Sequence, residues 1–284
     1  MNQTCLYKKE FVHLQLIKTL ITTLMKRVYY LCLALGIMFS STVFISCGSD
    51  DGKSNPENST NSGSGSSQDT QPQKTADRDE AGNILINEKN FPDAAFRKYL
   101  LAQNYGTDGV LTIEEFAEIK NIDVSLLNIQ SLQGIDFFTA LVRLDCEKNP
   151  LTSLDMSNNV LLEDLKCEEC QIATLNVSKN VKLTRLSCHS NQLTSLDVSN
   201  NVQLAYLHCP QNKLNVLNVS KNVKLINLSC SDNQLTSLDV SKNILLEELY
   251  CYYNQLTYLD VSNNTKLTYL RYDTDKVTIT GWPK

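Results

Sequence analysis

Along the second half of the chain, leucine and cysteine alternate with polar residues in short stretches that return every 21 residues. Leucines stand at 144, 165, 186, 207, 228, 249 and 270. A second leucine column runs 141, 162, 183, 204, 225, 246 and 267, and cysteines keep step at 146, 167, 188, 209, 230 and 251. Between Arg143 and Glu147 the period of two sends Leu144 and Cys146 to one side and Arg143, Asp145 and Glu147 to the other, as in a half-buried strand. Ten residues later Leu154 and Met156, or Leu196 and Val198, flank Asp155 or Asp197 in the same manner. Both halves fit within 21 residues, which leaves no room for an outer helix. The pattern predicts a flat coil with one true strand and a second extended segment. A single coil cannot bury its own apolar edge, so coils must stack, and seven at about 4.8 Å give a stack roughly 30 Å long.

The polar columns explain the bends. Asn149, Asn191, Asn212, Asn233 and Asn254 form one column, and Asn159, Asn180, Asn201, Asn222, Asn243 and Asn264 form another. A side-chain amide both donates and accepts, so it can serve turn backbone that would otherwise be buried without partners. These residues are structural. The unit reads L-x-x-L-x-C-x-x-N-x-L-x-x-L-(D/N)-V-S-x-N-x-x, a leucine-rich repeat.

The ends lose the period. Residues 83–120 predict a small helical cap. Asn90 to Asp93 opens an apolar-periodic helix with Phe96, Leu100 and Leu101, and Thr112 with Glu115 makes a capping box for a second helix. Between the helices, Asn104 to Gly109 followed by Leu111 and Glu115 resembles a calcium loop of the EF-hand kind. Gly109 holds the sharp-turn position, but only Asp108 and Glu115 remain as acidic ligands at the main positions, so the loop is read as degenerate, kept for shape rather than for the metal. Residues 121–140 make a divergent transition coil with Ile122, Val124, Ile129, Leu132, Ile135 and Phe138 inward. Repeats extend to 272, where Tyr272 replaces the expected cysteine. Residues 273–284 form a C-terminal cap, with a last strand around Val277 to Thr280 and Trp282 over the final coil.

The fold class expected is therefore a repeat solenoid of 21-residue coils with a parallel strand face and a small α-helical, EF-hand-like N-terminal cap. Over residues 83–284 the unit closely resembles the cysteine-containing 21-residue repeats of internalin J and of leucine-rich-repeat surface lipoproteins from Bacteroides-like bacteria. That resemblance implies a curved solenoid that attaches to partners or host surfaces.

Composition changes the picture mainly at the N-terminus. Met25 is followed by Lys26 and Arg27, an apolar run from Val28 to Ile45, then Ser46, Cys47 and Gly48. This is an export signal, 25–46, and Phe44 to Cys47 resembles a bacterial lipobox with Cys47 as the lipidated residue. An uncleaved anchor is the alternative, since about 18 apolar residues just span a bilayer. Residues 1–24 are an upstream extension. Residues 47–82 are polar and read as a flexible tether. Asp50 and Asp51 resemble the surface-export signal of Bacteroides-type lipoproteins. Together these place the protein at the outer membrane, lipid-anchored and facing out. The net charge of −5 argues against nucleic acid, which needs a basic stripe.

The column cysteines should be free thiols acting as small apolar residues, since side-by-side parallel strands offer poor disulfide geometry. Cys170 replaces a corner asparagine. With Cys167 it makes a lone C-x-x-C, too few ligands for a zinc site.

Function should sit where the repeats differ from one another. The outward strand positions vary: Arg143, Asp145, Glu147, Asp164, Lys166 and Glu168 early, then His189, Tyr206, His208, Tyr250, Tyr252, Tyr269 and Arg271, with Tyr253 at the strand exit. Tyrosine and arginine suit recognition hot spots, and tyrosine also has good strand propensity without any ligand. His189 and His208 beside Glu168 could form a metal or acid–base pair, though exposed histidines are more often incidental. No nucleophile elbow, phosphate loop or zinc-protease helix occurs. The expectation is a monomeric, non-enzymatic surface protein without a cofactor that binds a protein partner through the concave strand face. A carbohydrate-binding module using the tyrosines is the alternative.

Overall fold

The computed structural model describes residues 76–282. The upstream extension, the signal segment, Cys47 and all of the tether before residue 76 lie outside the described residues.

The repeats build a parallel β-solenoid of leucine-rich-repeat type. Its principal sheet joins eight strands in chain order: β3 (Asn121–Asp123), β4 (Arg143–Asp145), β6 (Asp164–Lys166), β8 (Arg185–Ser187), β9 (Tyr206–His208), β10 (Asn227–Ser229), β11 (Glu248–Tyr250) and β13 (Tyr269–Arg271). From β4 to β13 every register step is one repeat, so Leu144 faces Leu165 and Leu249 faces Leu270. Each strand is three residues long because the period of two persists only until the corner. The second half of the coil is extended as predicted. It forms short parallel pairs where β5 (Ser153–Asp155) meets β7 (Thr174–Asn176) and β12 (Tyr258–Asp260) meets β14 (Thr278–Thr280).

The interior is filled column by column. Leu165, Leu186, Leu207 and Leu228 are at most 1% exposed, as are Cys146, Cys167, Cys188 and Cys209. Burying a leucine contributes about 1.5–3 kcal/mol, repeated in each coil. The seven cysteines among the described residues are unbridged. Cys146 Sγ donates to the Lys166 carbonyl at 3.3 Å and Cys167 Sγ to the Ser187 carbonyl at 3.5 Å, so these two thiols also tie their coils to the next.

Two devices turn the corners. Lys148, Glu169, Ser190, Gln211, Asp232 and Tyr253 all take φ between 48° and 56°, reversing the chain just before the first corner column. Asn191 then accepts from Ile172 N and donates to the carbonyls of Cys167 and Cys188. In the second column Asn180 Nδ2 donates to the carbonyls of Met156 and Asn159, while its Oδ1 has no hydrogen-bond partner.

The N-terminal cap holds β1 (Ile84–Leu85), α1 (Ala94–Leu101), β2 (Val110–Leu111) and α2 (Ile113–Glu118), with β1 antiparallel to β2. Asp93 Oδ1 accepts from Ala95 N and Phe96 N at the start of α1, and its Oδ2 accepts from Gln130 N and Ser131 N in the transition coil. Phe91 packs edge-on against Phe96 and Phe137. Gly134 lies so close that a Cβ there would come within 2.4 Å of the Phe91 ring, and its φ of 98° also demands glycine.

The cap begins earlier than composition suggests. Residues 76–82, assigned to the tether, are held: Asp77 N donates to Asn90 Oδ1, Asn90 Nδ2 donates back to the Asp77 carbonyl, and Arg78 bridges to Ile84. Polar groups fasten this stretch, so an apolar count misses it. At the other end Val277 is buried and Trp282 half-buried against the last coil. Among the described residues no helix is long and apolar enough to cross a membrane.

Candidate functional site

Register turns the outward strand positions into rows that cross the coils. One row carries Arg185, Tyr206, Asn227, Glu248 and Tyr269, and the next carries Ser187, His208, Ser229, Tyr250 and Arg271. A third row, just past the strands, carries Glu168, His189, Pro210, Ser231 and Tyr252. Their carbonyls accept the amides of Lys148, Glu169, Ser190, Gln211 and Asp232. The seven residues singled out from sequence all lie on this face and fall into neighbouring groups.

His189 and His208 meet edge to face with centroids 5.0 Å apart. Ser187 Oγ lies 3.4 Å from His208 Nδ1, and His189 Nδ1 lies 3.0 Å from Ser190 Oγ. Desolvation by the crowded face, and then the neighbouring His189, lower the His208 pKa below the ordinary histidine value. His208 is therefore held uncharged at neutral pH, edge to face against the His189 ring. The pair does not join Glu168 in a three-ligand cluster among the described residues. Arg185 lies over the Tyr206 ring at 5.1 Å, a cation–π contact that fixes both.

Four tyrosines gather further along. Tyr250 and Tyr269 are 5.2 Å apart, and Tyr252 and Tyr253 meet at 5.0 Å. Tyr250 Oη donates to Glu248 Oε2, which also accepts from Asn227 Nδ2 at 2.7 Å. Desolvation and that carboxylate raise the Tyr250 pKa, so the phenol stays protonated. Arg271 is the register partner of Tyr250.

Between the histidines and the tyrosines the surface is cut by a notch of about 480 Å³ lined by His208, Pro210, Gln211, Asn227, Ser229, Ser231, Asp232, Tyr250, Tyr252 and Tyr253. Its floor comes from one coil, where Asn227, Ser229 and Ser231 replace the bulky outward residues of both neighbouring coils. Ser229 and Ser231 are buried for that reason, overshadowed from both sides. Sequence reasoning missed this floor. The signal was present as small residues between large ones 21 positions away on either side.

Elsewhere the predicted chemistry is absorbed by structure. Glu115 Oε2 accepts from Thr112 N and Thr112 Oγ1, closing the capping box of α2, and Asp108 Oδ1 accepts from Val110 N. Cys170 Sγ donates to the carbonyls of Cys146 and Glu168, whereas Cys167 points into the core column, so the C-x-x-C pair serves two different places. Glu168 departs from the expectation of an open charged surface. It is only 8% exposed. A second exposed stripe was also missed: Val160, Val181, Val202, Val223 and Ile244, each following a corner asparagine, are 41–55% exposed.

No protein-family model matches the sequence, and no curated protein matches it. Solved structures do match. The functional domain of InlJ from Listeria monocytogenes, which includes a cysteine ladder, aligns at 24% identity over 74% of this chain with a TM-score of 0.33. Internalin C2 from Listeria monocytogenes aligns at 20% identity over 70% of this chain and 97% of its own, TM-score 0.46. A leucine-rich-repeat protein of Leptospira interrogans aligns at 21% identity over 59% of this chain and 51% of its own, TM-score 0.48. The chain spans 63% of the length of the InlJ structure.

Proposed function

We propose that the protein is a recognition module that binds a protein partner through its eight-stranded face, displayed from a lipid anchor on Cys47 at the outer surface of the cell. The observation that supports it most is the notch between His208 and the tyrosines. A scaffold repeated almost column by column changes side-chain size abruptly there, and aromatic walls with hydrogen-bonding groups beneath them are what a binding hot spot requires. The interior is packed by Leu, Cys and Val, so chemistry is confined to this outward surface, and recognition without turnover suits it better than catalysis. The polar tether would hold the repeats away from the membrane.

A glycan end-group is the second reading, favoured by the same notch: Ser229, Ser231, Asn227 and Asp232 offer hydroxyl, amide and carboxylate groups beneath Tyr250 and Tyr252. Binding of the purified protein to target cells decides between them. Loss after protease treatment of the cells, with no competition by free sugars, supports a protein partner. Loss after periodate treatment, with sugar competition, supports the glycan. In either case the Tyr250→Ala/Tyr252→Ala variant should lose binding at least tenfold, and unchanged binding by that folded variant excludes the strand face as the site.

A further inference from the structure

The early coils carry a different constellation. Asp145 ends β4 and Glu147 follows two residues on, where the amides of Cys146 and Lys148 still donate across to the next coil, so the alternation continues and both carboxylates face the same way. The Lys148 amide donates to the Glu168 carbonyl at 2.9 Å, which sets Glu147 and Glu168 abreast in adjacent coils. One carboxylate oxygen from each of Asp145, Glu147 and Glu168 lies within 4.8 Å of the other two. Like charges placed side by side in a sheet repel. Two lysines offset part of this: Lys166 Nζ is 3.1 Å from Asp145 Oδ2, and Lys148 Nζ is 3.4 Å from Glu147 Oε1 and 3.6 Å from Glu169 Oε1. Neither lysine reaches Glu168. That residue is 8% exposed and its Oε2 has no hydrogen-bond partner. A buried carboxylate without a partner is costly.

We propose that Asp145, Glu147 and Glu168 form a binding site for a hard divalent cation, calcium before the others. The separation of their oxygens fits ligands shared at the calcium–oxygen distance of about 2.4 Å, and calcium tolerates irregular geometry completed by water, whereas magnesium demands a near-ideal octahedron. Soft metals are disfavoured because the neighbouring thiols are engaged elsewhere, Cys146 with the Lys166 carbonyl at 3.3 Å and Cys170 with the carbonyls of Cys146 and Glu168. Lys166 gives up Asp145 when the ion enters. Its side chain is 51% exposed, and such a surface pair is worth little.

Calorimetric titration of the whole protein with calcium chloride, beside thermal unfolding, tests the site. One saturable site with Kd of about 0.1–1 mM is expected, in the range of extracellular modules. Magnesium should bind at least tenfold more weakly. Glu168→Gln should weaken calcium at least tenfold, keep the far-UV spectrum and unfold no earlier than wild type without calcium, because it removes the buried charge. Glu147→Gln should weaken calcium likewise and carries the test if Glu168→Gln does not fold. The site is overturned by three results: no calcium heat and no melting shift in wild type at about 10 mM calcium, well above that range; wild-type affinity in both folded glutamine variants; or a response abolished by Asp108→Asn instead, which would place the ion in the loop before α2.

Discussion

Cys170 Sγ lies 3.4 Å from the Cys146 carbonyl oxygen, in the place where other coils put an asparagine amide. Asn191, one coil on, donates to the corresponding Cys167 carbonyl at 2.8 Å and also accepts from the amide of Ile172. A thiol donates weakly and lacks the amide's second function. The Leu151 amide, deprived of that acceptor, turns to the Asn149 carbonyl at 2.8 Å. Cys170→Asn should therefore restore a stronger donor and a missing acceptor and stabilise the protein by about 1 kcal/mol. Equilibrium urea unfolding measures it. A loss of stability would mean that the corner at 170 has relaxed around sulfur and can no longer take the amide.

The second asparagine column makes the opposite prediction. Asn201 Nδ2 donates to the carbonyls of Val177 and Asn180 and is fully buried. Asn201→Ala removes two buried donors and leaves the carbonyls of Val177 and Asn180 with only their backbone partners, the amides of Asn180 and Leu183, at a cost of about 1–3 kcal/mol. Asn201→Asp should be worse, because a carboxylate has no proton to donate there and buries a charge. If alanine costs less than half a kilocalorie, roughly the size of an ordinary surface substitution, the column is not what holds the corners.

The scaffold was legible because its two periods, 2 and 21, are properties of single residues repeated in phase. Leu144, Cys146 and their counterparts follow directly from them. What escaped depends on lateral neighbours. Ser229 reads as an outward, exposed residue and is buried only because His208 and Tyr250 stand on either side. Glu168 reads the same way, yet its carboxylate is covered by the surrounding coil surface. The start of the cap escaped for another reason: Asp77 and Asn90 fasten it with hydrogen bonds that leave no apolar trace.

The cysteine ladder gives the stability a pH dependence. Burial pushes the thiols of Cys146, Cys167, Cys188, Cys209 and Cys230 well above the ordinary value, and burial followed by Asp273 pushes Cys251 up to about 12. The folded pKa exceeds the unfolded one near 9, so between those values the unfolded chain has lost protons that the folded chain retains. Stability is then full below about pH 8 and falls as pH rises, by about 1.4 kcal/mol per pH unit for each thiol titrating in the unfolded chain. Urea midpoints measured from pH 7 to 10.5 should fall steeply, and Cys209→Val should flatten the slope by one proton. The same burial predicts that none of these thiols reacts with iodoacetamide at pH 8 until the protein unfolds. Rapid native alkylation would show that the columns open.

Tyr253 carries the last prediction, because it is where the fold and the notch make conflicting demands. The position before each corner is left-handed, and the earlier coils fill it with Lys148, Glu169, Ser190, Gln211 and Asp232. Tyr253 takes φ of 56° there, is 69% exposed, and lies 5.0 Å from the Tyr252 ring as a wall of the notch. A bulky side chain in this region costs about 1–2 kcal/mol relative to glycine. An exposed aromatic ring recovers little of that by packing, so the strain is consistent with a binding role. Tyr253→Gly should raise stability by about 1 kcal/mol while lowering affinity for the partner at least tenfold. Tyr253→Asn, which tolerates the same conformation, should follow it in both respects. Gain of stability with no loss of binding would leave the strain real but remove Tyr253 from the recognition surface. Loss of stability in both variants would mean that the contact with Tyr252 outweighs the backbone cost.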